Sequence, residues 1–131
     1  MMKTRETVRP TEGELGILAV LWERGSATVR EVFEAISAER PMVYTGVLKL
    51  MQIMADKGLV IRDESARAHV YRAAVEKEET ERRFVRDLSR RLFSGSAAQL
   101  ALRALEMEPA SEEEMAEIRK VLARRRQEAG Q

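Results

Sequence analysis

The 131-residue sequence predicts a mainly α-helical protein with one small β-hairpin. Three observations predict this fold class. Apolar residues recur at helical spacing over most of the chain. Three capping boxes, in which Thr or Ser stands three residues before Glu, begin at Thr11, Thr28 and Ser111. Two short β-prone runs lie on either side of a polar tip at residues 63–67.

The composition restricts the classes of protein to which the chain can belong. Hydrophobic residues make up 44% and charged residues 34%, proportions typical of a folded, helix-rich chain. The net charge is only +1, so any affinity for nucleic acid must come from the placement of positive groups rather than from their number. With one His and no Cys, the sequence favours neither an enzyme, nor a metal site, nor a cofactor.

The sequence also predicts a protein that does not insert into membranes. It contains no run of about 18 apolar residues, the length that a membrane-spanning helix needs. Its start, Met1–Glu6, lacks the apolar centre of an export signal. A cytoplasmic location is therefore expected.

Two helices are expected in the first 40 residues. The first begins at the capping box of Thr11 and Glu14 and ends at Gly25. The apolar residues expected to face the core from this helix are Leu15, Leu18, Ala19, Leu21 and Trp22. The second begins at Thr28 and ends before the helix breaker Pro41. Its inward residues are expected to be Val29, Val32, Phe33 and Ile36.

A third helix, at about residues 43–57, combines an apolar stripe with a small, mostly polar face. The stripe has the i, i+3, i+4, i+7 spacing of a buried helix side and consists of Val47, Leu50, Met51 and Met54. Gly58 is expected to end the helix. Other positions, on or beside the second face, carry Tyr44, Thr45, Leu48, Lys49 and Gln52. We interpret the helix as a DNA-recognition helix, with an ordinary solvated face as the alternative.

The polar side chains of this helix are of the kinds that contact DNA. Lys49 can bind a phosphate or a guanine, and Thr45 and Gln52 can bind base edges or phosphates. Tyr44 is expected to contact the DNA backbone. Arg30, in the first turn of the second helix, is expected to face a phosphate or to be an ordinary surface residue.

A β-hairpin is expected directly after the third helix. The β-prone runs at residues 59–62 and 69–72 form its strands. Arg67 is expected at the tip, with Arg62 and His69 near it, and can contact a phosphate or the minor groove. A hairpin that follows a helix-turn-helix is a wing, so the sequence predicts a winged helix-turn-helix domain.

The chain is expected to consist of two domains, a winged-helix DNA-binding domain at residues 1–74 and a helical dimerisation domain at residues 75–131. Three helices attached to the winged unit cannot bury their apolar side chains alone, so a homodimer is expected. The residues assigned to the interface are Phe84, Leu88, Leu92, Leu100, Leu105, Ile118 and Leu122.

This order of elements resembles a family of bacterial repressors that includes the penicillinase, methicillin-resistance and copper-responsive repressors. The resemblance covers roughly residues 10–125, and its ordered set of motifs is specific although no single motif is. The motifs lie at residues 14–22, 28–32, 44–48, 57–60, 68–71 and 92–96. The resemblance implies a homodimeric transcriptional repressor that binds an inverted-repeat operator in double-stranded DNA. The third helix would enter the major groove, and the C-terminal helices would dimerise.

Two departures from the family pattern concern regulation. Copper-responsive members end in a Cys-rich metal site, and this sequence has no Cys. Antibiotic-resistance members are cleaved between Asn and Phe, whereas the corresponding position here is Arg103-Ala104. A membrane-bound sensor protease that releases the repressor is a candidate partner through the resemblance, and the sequence specifies neither the inducing signal nor the operator.

A third departure lies on the recognition helix. Gly46 stands where many relatives carry Thr, and Leu48 and Ile53 stand where some carry Arg. A Gly inside a helix costs about 1 kcal/mol relative to Ala, which suggests close approach of a neighbouring backbone or of DNA, or simple tolerance. Leu48 can cover a thymine methyl group.

The alternative function from another class is a winged-helix protein–protein adaptor that does not read DNA. The near-neutral charge and the few base-reading groups of the third helix favour it. A specific, salt-sensitive shift of operator DNA distinguishes the repressor from the adaptor.

Overall fold

The computed structural model describes residues 9–130, which form six helices and three strands. In chain order these are α1 (Glu12–Arg24), β1 (Ala27–Thr28), α2 (Val29–Ser37), α3 (Tyr44–Lys57), β2 (Val60–Asp63), β3 (Val70–Ala73), α4 (Lys77–Leu92), α5 (Ala97–Met107) and α6 (Glu112–Ala129). The predicted fold class, mainly helical with a small β-hairpin, is confirmed. The start of the chain, where no export signal is expected, lies outside the described residues. One compact unit extends to Thr80 and a second begins at Glu81.

The first helix begins as its sequence predicts. The Thr11 hydroxyl accepts a hydrogen bond from the Glu14 N–H at 3.3 Å, and the Glu14 carboxylate accepts one from the Thr11 N–H at 2.9 Å. Gly25 follows the last turn with φ 88°, in the region that favours glycine. Both ends of α1 are therefore determined locally, by a capping box and a glycine.

The inward stripe of α1 differs from the predicted one. Leu18 and Leu21 are buried as expected, and Leu15 and Trp22 are half-buried. The prediction for Ala19 is wrong, because this residue is exposed and Ile17 takes the interior position. The buried residues Glu14, Ile17, Leu18 and Leu21 form one i, i+3, i+4, i+7 series. The stripe therefore begins at a charged residue, which an apolar pattern does not include.

The burial of Glu14 depends on an ion pair with Lys57. Its side chain is 2% exposed, and its two carboxylate oxygens lie 3.1 and 2.8 Å from Nζ of Lys57. The same carboxylate also accepts the Thr11 N–H. A buried carboxylate is tolerated when hydrogen bonds and a cation compensate for its lost hydration. The pair connects the start of α1 to the end of α3.

Helices α2 and α3 supply most of the remaining core. Thr28 and Glu31 form the second predicted capping box, and α3 ends at Gly58 with φ 84°. The Leu59 N–H donates to the Met54 carbonyl at 2.9 Å, which completes this helix end. The predicted inward residues are buried at Val29, Val32, Ile36, Val47, Met51 and Met54 and half-buried at Phe33 and Leu50.

A three-stranded antiparallel sheet of order β1-β3-β2 packs beside these helices. The two hairpin strands lie one residue later than predicted, and the short strand β1 was not predicted. Tyr71 in the central strand pairs with Ala27 on one side and with Arg62 on the other. Tyr71 is 1% exposed, so this face of the sheet is turned toward the core. Its burial attaches the wing to the helices.

The connection toward α4 is held by Trp22. Its indole Nε1–H donates a hydrogen bond to the Val75 carbonyl at 2.9 Å. The indole also packs half-buried against the core, which the sequence predicts for a single tryptophan on an apolar stripe. The segment between β3 and α4 is thereby fixed to α1.

The second unit consists of helices that bury little within one chain. Ser94 with φ 51° and Gly95 with φ 86° separate α4 from α5, and Ser111 begins α6 with the third predicted capping box. Neither α5 nor α6 has a buried residue. Four residues assigned to dimerisation are exposed, namely Leu88, Leu92, Leu105 and Leu122. Three others are half-buried, namely Phe84, Leu100 and Ile118. Among the described helices, none is long and apolar enough to cross a membrane.

We predict that Lys57→Ala lowers the free energy of unfolding by about 1–3 kcal/mol, because the Glu14 carboxylate stays buried without its cation. Urea unfolding followed by circular dichroism measures the change. Lys49→Ala removes an exposed lysine from the same helix and is expected to change the unfolding free energy by less than about 0.5 kcal/mol. Equal effects of the two substitutions would contradict a structural role for the Glu14–Lys57 pair.

Candidate nucleic-acid interface

A groove of about 340 Å³ lies between the start of α2, the outer side of α3 and the wing. The residues that line it are Thr28, Val29, Arg30, Tyr44, Leu48, Gln52, Arg62, Arg67, Ala68, His69 and Tyr71. Five candidates singled out in the sequence therefore come together here from three separate elements, namely Arg30, Tyr44, Leu48, Gln52 and Arg67. Thr45, Gly46 and Lys49 lie on α3 but do not line the groove, and Thr45 and Lys49 are exposed.

Tyr44 organises the end of the groove nearest to α2. Its ring lies 5.7 Å from the ring of Phe33, at 76°, in an edge-to-face arrangement. The Arg30 guanidinium lies over the same ring, 5.1 Å from its centroid. The first turn of α3 is thus attached to α2 by an aromatic contact, and Arg30 is oriented at the edge of the groove. Tyr44 is a positioning residue as well as a candidate DNA contact.

Two further candidate residues of α3 are placed by packing. Leu48 is half-buried and packs against the core, so only part of its side chain faces the groove. A Cβ added to Gly46 would lie 3.3 Å from Cγ2 of Val43. Among the described residues, no backbone outside the helix of Gly46 approaches this position within 4 Å. A neighbouring backbone is therefore not the reason for this glycine.

Arg62 lines the groove, although the sequence predicts only that it lies near the wing tip. It is the direct cross-strand partner of Tyr71, so both side chains lie on the sheet face that is turned toward the helices. Its Nε lies 2.7 Å from Oε2 of Glu64. A hydrogen bond donated to the Tyr71 side chain and the nearby Glu64 carboxylate raise the pKa of the Arg62 guanidinium. The signal that identifies Arg62 is strand alternation, since Val60 on the same face is buried.

The turn of the wing begins at Asp63. Its Oδ1 accepts a hydrogen bond from the Ser65 N–H at 2.9 Å, which forms a local side-chain-to-backbone turn. Hydrogen bonding by Ser65, with a smaller contribution from the charge of Arg72, lowers the pKa of the Asp63 carboxyl group. Asp63 is therefore charged at neutral pH and keeps this bond. Arg67 and His69 follow it as exposed residues of the wing loop.

The groove has a different electrostatic character from the whole chain. Arg30, Arg62 and Arg67 contribute three positive charges, of which that of Arg62 is paired with Glu64, and His69 adds an imidazole. None of the described residues that line the groove is acidic. The net charge of +1 thus conceals a local excess of positive groups between α3 and the wing. This arrangement suits a polyanion. No cluster of three or more potential metal-binding side chains occurs among the described residues.

Three helices followed by a short wing, with a basic groove between the third helix and the wing, define a winged helix-turn-helix protein. A model described as penicillinase repressor matches residues 10–124. The chain therefore belongs to the penicillinase repressor family, and the resemblance seen in the sequence is confirmed. The family is one of transcriptional repressors and not of enzymes.

Two further comparisons agree with this assignment. The transcriptional regulator BlaI of Mycobacterium tuberculosis, from strains CDC 1551 / Oshkosh and ATCC 25618 / H37Rv, is 42% identical over 59 residues. This alignment covers 44% of the present chain and 43% of the relative, so the chain spans less than half of the curated relatives it matches. The solution structure of the DNA-binding domain of the repressor BlaI aligns with a TM-score of 0.50 at 19% identity. It covers 60% of this chain and 93% of that domain, and this likeness concerns the fold.

We predict that Phe33 and Tyr44 are energetically coupled, because their edge-to-face contact attaches α3 to α2. A double-mutant cycle with Phe33→Leu and Tyr44→Leu is expected to give a coupling free energy of about 0.5–1.5 kcal/mol in urea unfolding. The control is a cycle that combines Phe33→Leu with Ile61→Ala, an exposed wing position. This control is expected to give no coupling free energy. A Phe33–Tyr44 coupling no larger than that of the control would contradict the role given to Tyr44.

Proposed function

We propose that this chain is a cytoplasmic transcriptional repressor that binds a two-fold symmetric DNA operator as a homodimer. The observation that carries the proposal is the groove, in which positive and hydrogen-bonding side chains from α2, α3 and the wing converge. A duplex with α3 in its major groove would place the wing beside the adjacent minor groove. The phosphate backbone that separates the two grooves would then lie along the basic surface.

Base recognition in this proposal belongs to α3. Thr45, Lys49 and Gln52 are exposed on this helix, and their hydroxyl, ammonium and amide groups can bind base edges. Gln52 also lines the groove, so it stands between the base-reading face and the backbone-binding surface. The lack of a side chain on Gly46 would let the duplex approach the helix closely.

The affinity in this proposal comes mainly from phosphate contacts. Arg30 and Arg67 lie on opposite elements of the groove, and a phosphate backbone between them would meet a positive group from each side. Tyr44 adds a phenolic hydroxyl to the same surface. Binding that depends on such contacts releases counterions, so it weakens as salt concentration rises.

Dimerisation is supported by the apolar side chains of the second unit. Leu92 and Leu122 are 67% and 63% exposed, and α5 and α6 have no buried residue within one chain. A second copy of the same helices would cover this surface and place two recognition helices on an inverted repeat. We therefore propose that a second, identical chain covers this apolar surface.

A membrane-bound sensor protease stays a candidate partner of the repressor. Release by cleavage at Arg103-Ala104 is not included in the proposal, because these residues depart from the Asn-Phe pair of the antibiotic-resistance members. They lie inside α5. A gene for a membrane-bound metalloprotease beside the gene of this protein would support a sensor–repressor pair.

We predict that Lys49→Ala weakens binding to the operator by about 1–3 kcal/mol, because a base contact of the recognition helix is lost. The measurement is an electrophoretic shift with DNA from upstream of the protein's own gene, repeated with a scrambled duplex of equal length. Lys77→Ala, which removes an exposed lysine at the start of α4, is the matched control and is expected to bind normally.

The outcomes of this experiment separate the two functions. An unchanged operator affinity in Lys49→Ala would remove Lys49 from the base-reading residues without affecting the repressor proposal. A wild-type protein that gives no specific, salt-sensitive shift would support the protein–protein adaptor instead.

We predict that the full chain is a dimer at micromolar concentration and that Leu122→Glu makes it a monomer. The substitution introduces a charge into the apolar surface that the second copy would cover. Multi-angle light scattering measures the mass. Lys120→Glu introduces the same side chain at a polar position of α6 and is expected to leave the dimer intact. A monomeric wild-type protein would refute the dimer.

A further inference from the structure

Arg62 occupies an unusual position for a charged strand residue. Its side chain lies on the core-facing side of the sheet, in line with buried Val60 and beside buried Tyr71. Arg62 is nevertheless exposed and is one of the residues that line the groove. The fold thus places a positive charge at the groove.

The guanidinium has two neighbours that leave part of it available. Its Nε lies 2.7 Å from Oε2 of Glu64, and Tyr71 is its direct cross-strand partner. A guanidinium has five N–H donors, so these contacts do not exhaust its hydrogen-bonding capacity. Tyr71 is fixed in the core, whereas the Glu64 side chain is 55% exposed at the start of the wing loop. Of the two partners, Glu64 is the one that can move away.

Carboxylates and phosphates are interchangeable partners for arginine. Both present pairs of oxygen atoms that match the planar arrangement of guanidinium N–H groups. An ion pair with an exposed carboxylate contributes little stability, because water and salt screen it. Since Arg30 and Arg67 line the same groove, an anion that entered it would gain their attraction as well. The groove therefore favours replacement of Glu64 by an external anion.

We propose that the Glu64 carboxylate competes with the DNA backbone for Arg62, so that Arg62 changes its partner from Glu64 to a phosphate when duplex DNA binds. The inference rests on the proposed function and adds two residues to it. Arg62 binds a phosphate, and Glu64 lowers the affinity for DNA by competing for Arg62. The occupant is a phosphodiester backbone because the groove lies between the recognition helix and the wing, with Gln52 on one side and Arg67 on the other.

Competition by Glu64 lowers the affinity for DNA but does not change the sequence preference. Phosphates are the same in every duplex, so displacement of Glu64 carries the same penalty on an operator and on unrelated DNA. Removal of the Glu64 charge would raise the affinity for both by the same factor. Loss of the Arg62 guanidinium would lower both, and would also remove any effect of changing Glu64.

The test measures duplex binding by the full-length protein with Glu64→Gln, Arg62→Ala and the double variant. Glu64→Gln is expected to tighten binding to operator and scrambled duplexes alike, by about 2- to 5-fold at moderate salt. Arg62→Ala is expected to weaken both by roughly 5-fold and to reduce the slope of log affinity against log salt by about one. In the Arg62→Ala background, Glu64→Gln is expected to have no effect.

The control variant is Glu23→Gln, which removes one negative charge from an exposed position of α1 that is not among the groove residues. Circular dichroism of each variant verifies that the fold is retained. An equal gain from Glu64→Gln with and without Arg62, or a gain matched by Glu23→Gln, would overturn the proposal, because the effect would then be a general one of charge. If the wild-type protein binds DNA and Glu64→Gln alone does not raise the affinity, the proposal would be overturned too.

Failure of this inference and failure of the proposed function give different results. If the wild-type protein binds operator DNA and the Glu64 variants behave like it, the repressor proposal stands and the exchange of partners is refuted. If the wild-type protein binds no duplex but captures an acidic polypeptide such as polyglutamate, the groove serves a protein partner, and both proposals are overturned.

Discussion

The burial of Tyr71 in the central strand is the contact on which the rest of the winged unit depends. β3 pairs on one side with β1, which leads directly into α2, and on the other with β2, which follows α3. Because Tyr71 is anchored in the core, the wing cannot turn away from the helices. The same side chain fixes Arg62, its cross-strand partner. Tyr71 therefore both stabilises the fold and helps to form the groove.

Local signals account for the parts of the fold that could be predicted from sequence. Thr11, Thr28 and Ser111 begin helices through bonds within four residues, and Gly58 ends α3 through its own backbone conformation. Such contacts do not depend on the rest of the chain. The strand β1 depends on a partner far away in the sequence and is too short to show alternation, so nothing in its residues indicates it. The buried Glu14 was missed for a similar reason, because its cation is Lys57 at the end of another helix.

The candidate interface divides in the same way. The exposed face of α3 follows from helical periodicity, so Lys49 and Gln52 could be identified from sequence alone. Strand alternation also places Arg62 on the sheet face of Val60, but that this face meets the groove could not be predicted, because it depends on the register of β2 against β3. The contact between Arg30 and Tyr44 is also tertiary, since it joins the first turns of two helices. Sequence thus identifies the residues that face outward, whereas the fold determines which of them act together.

The position of the single tryptophan makes the two units optically distinguishable. Trp22 and both tyrosines of the chain belong to the first unit, whereas the second contains neither residue type. Indole fluorescence therefore reports the loss of the Trp22–Val75 hydrogen bond and the opening of the winged unit, without a contribution from the C-terminal helices. Helical ellipticity reports both units together. A comparison of the two signals during denaturation would reveal whether the winged unit unfolds with its C-terminal helices or independently of them.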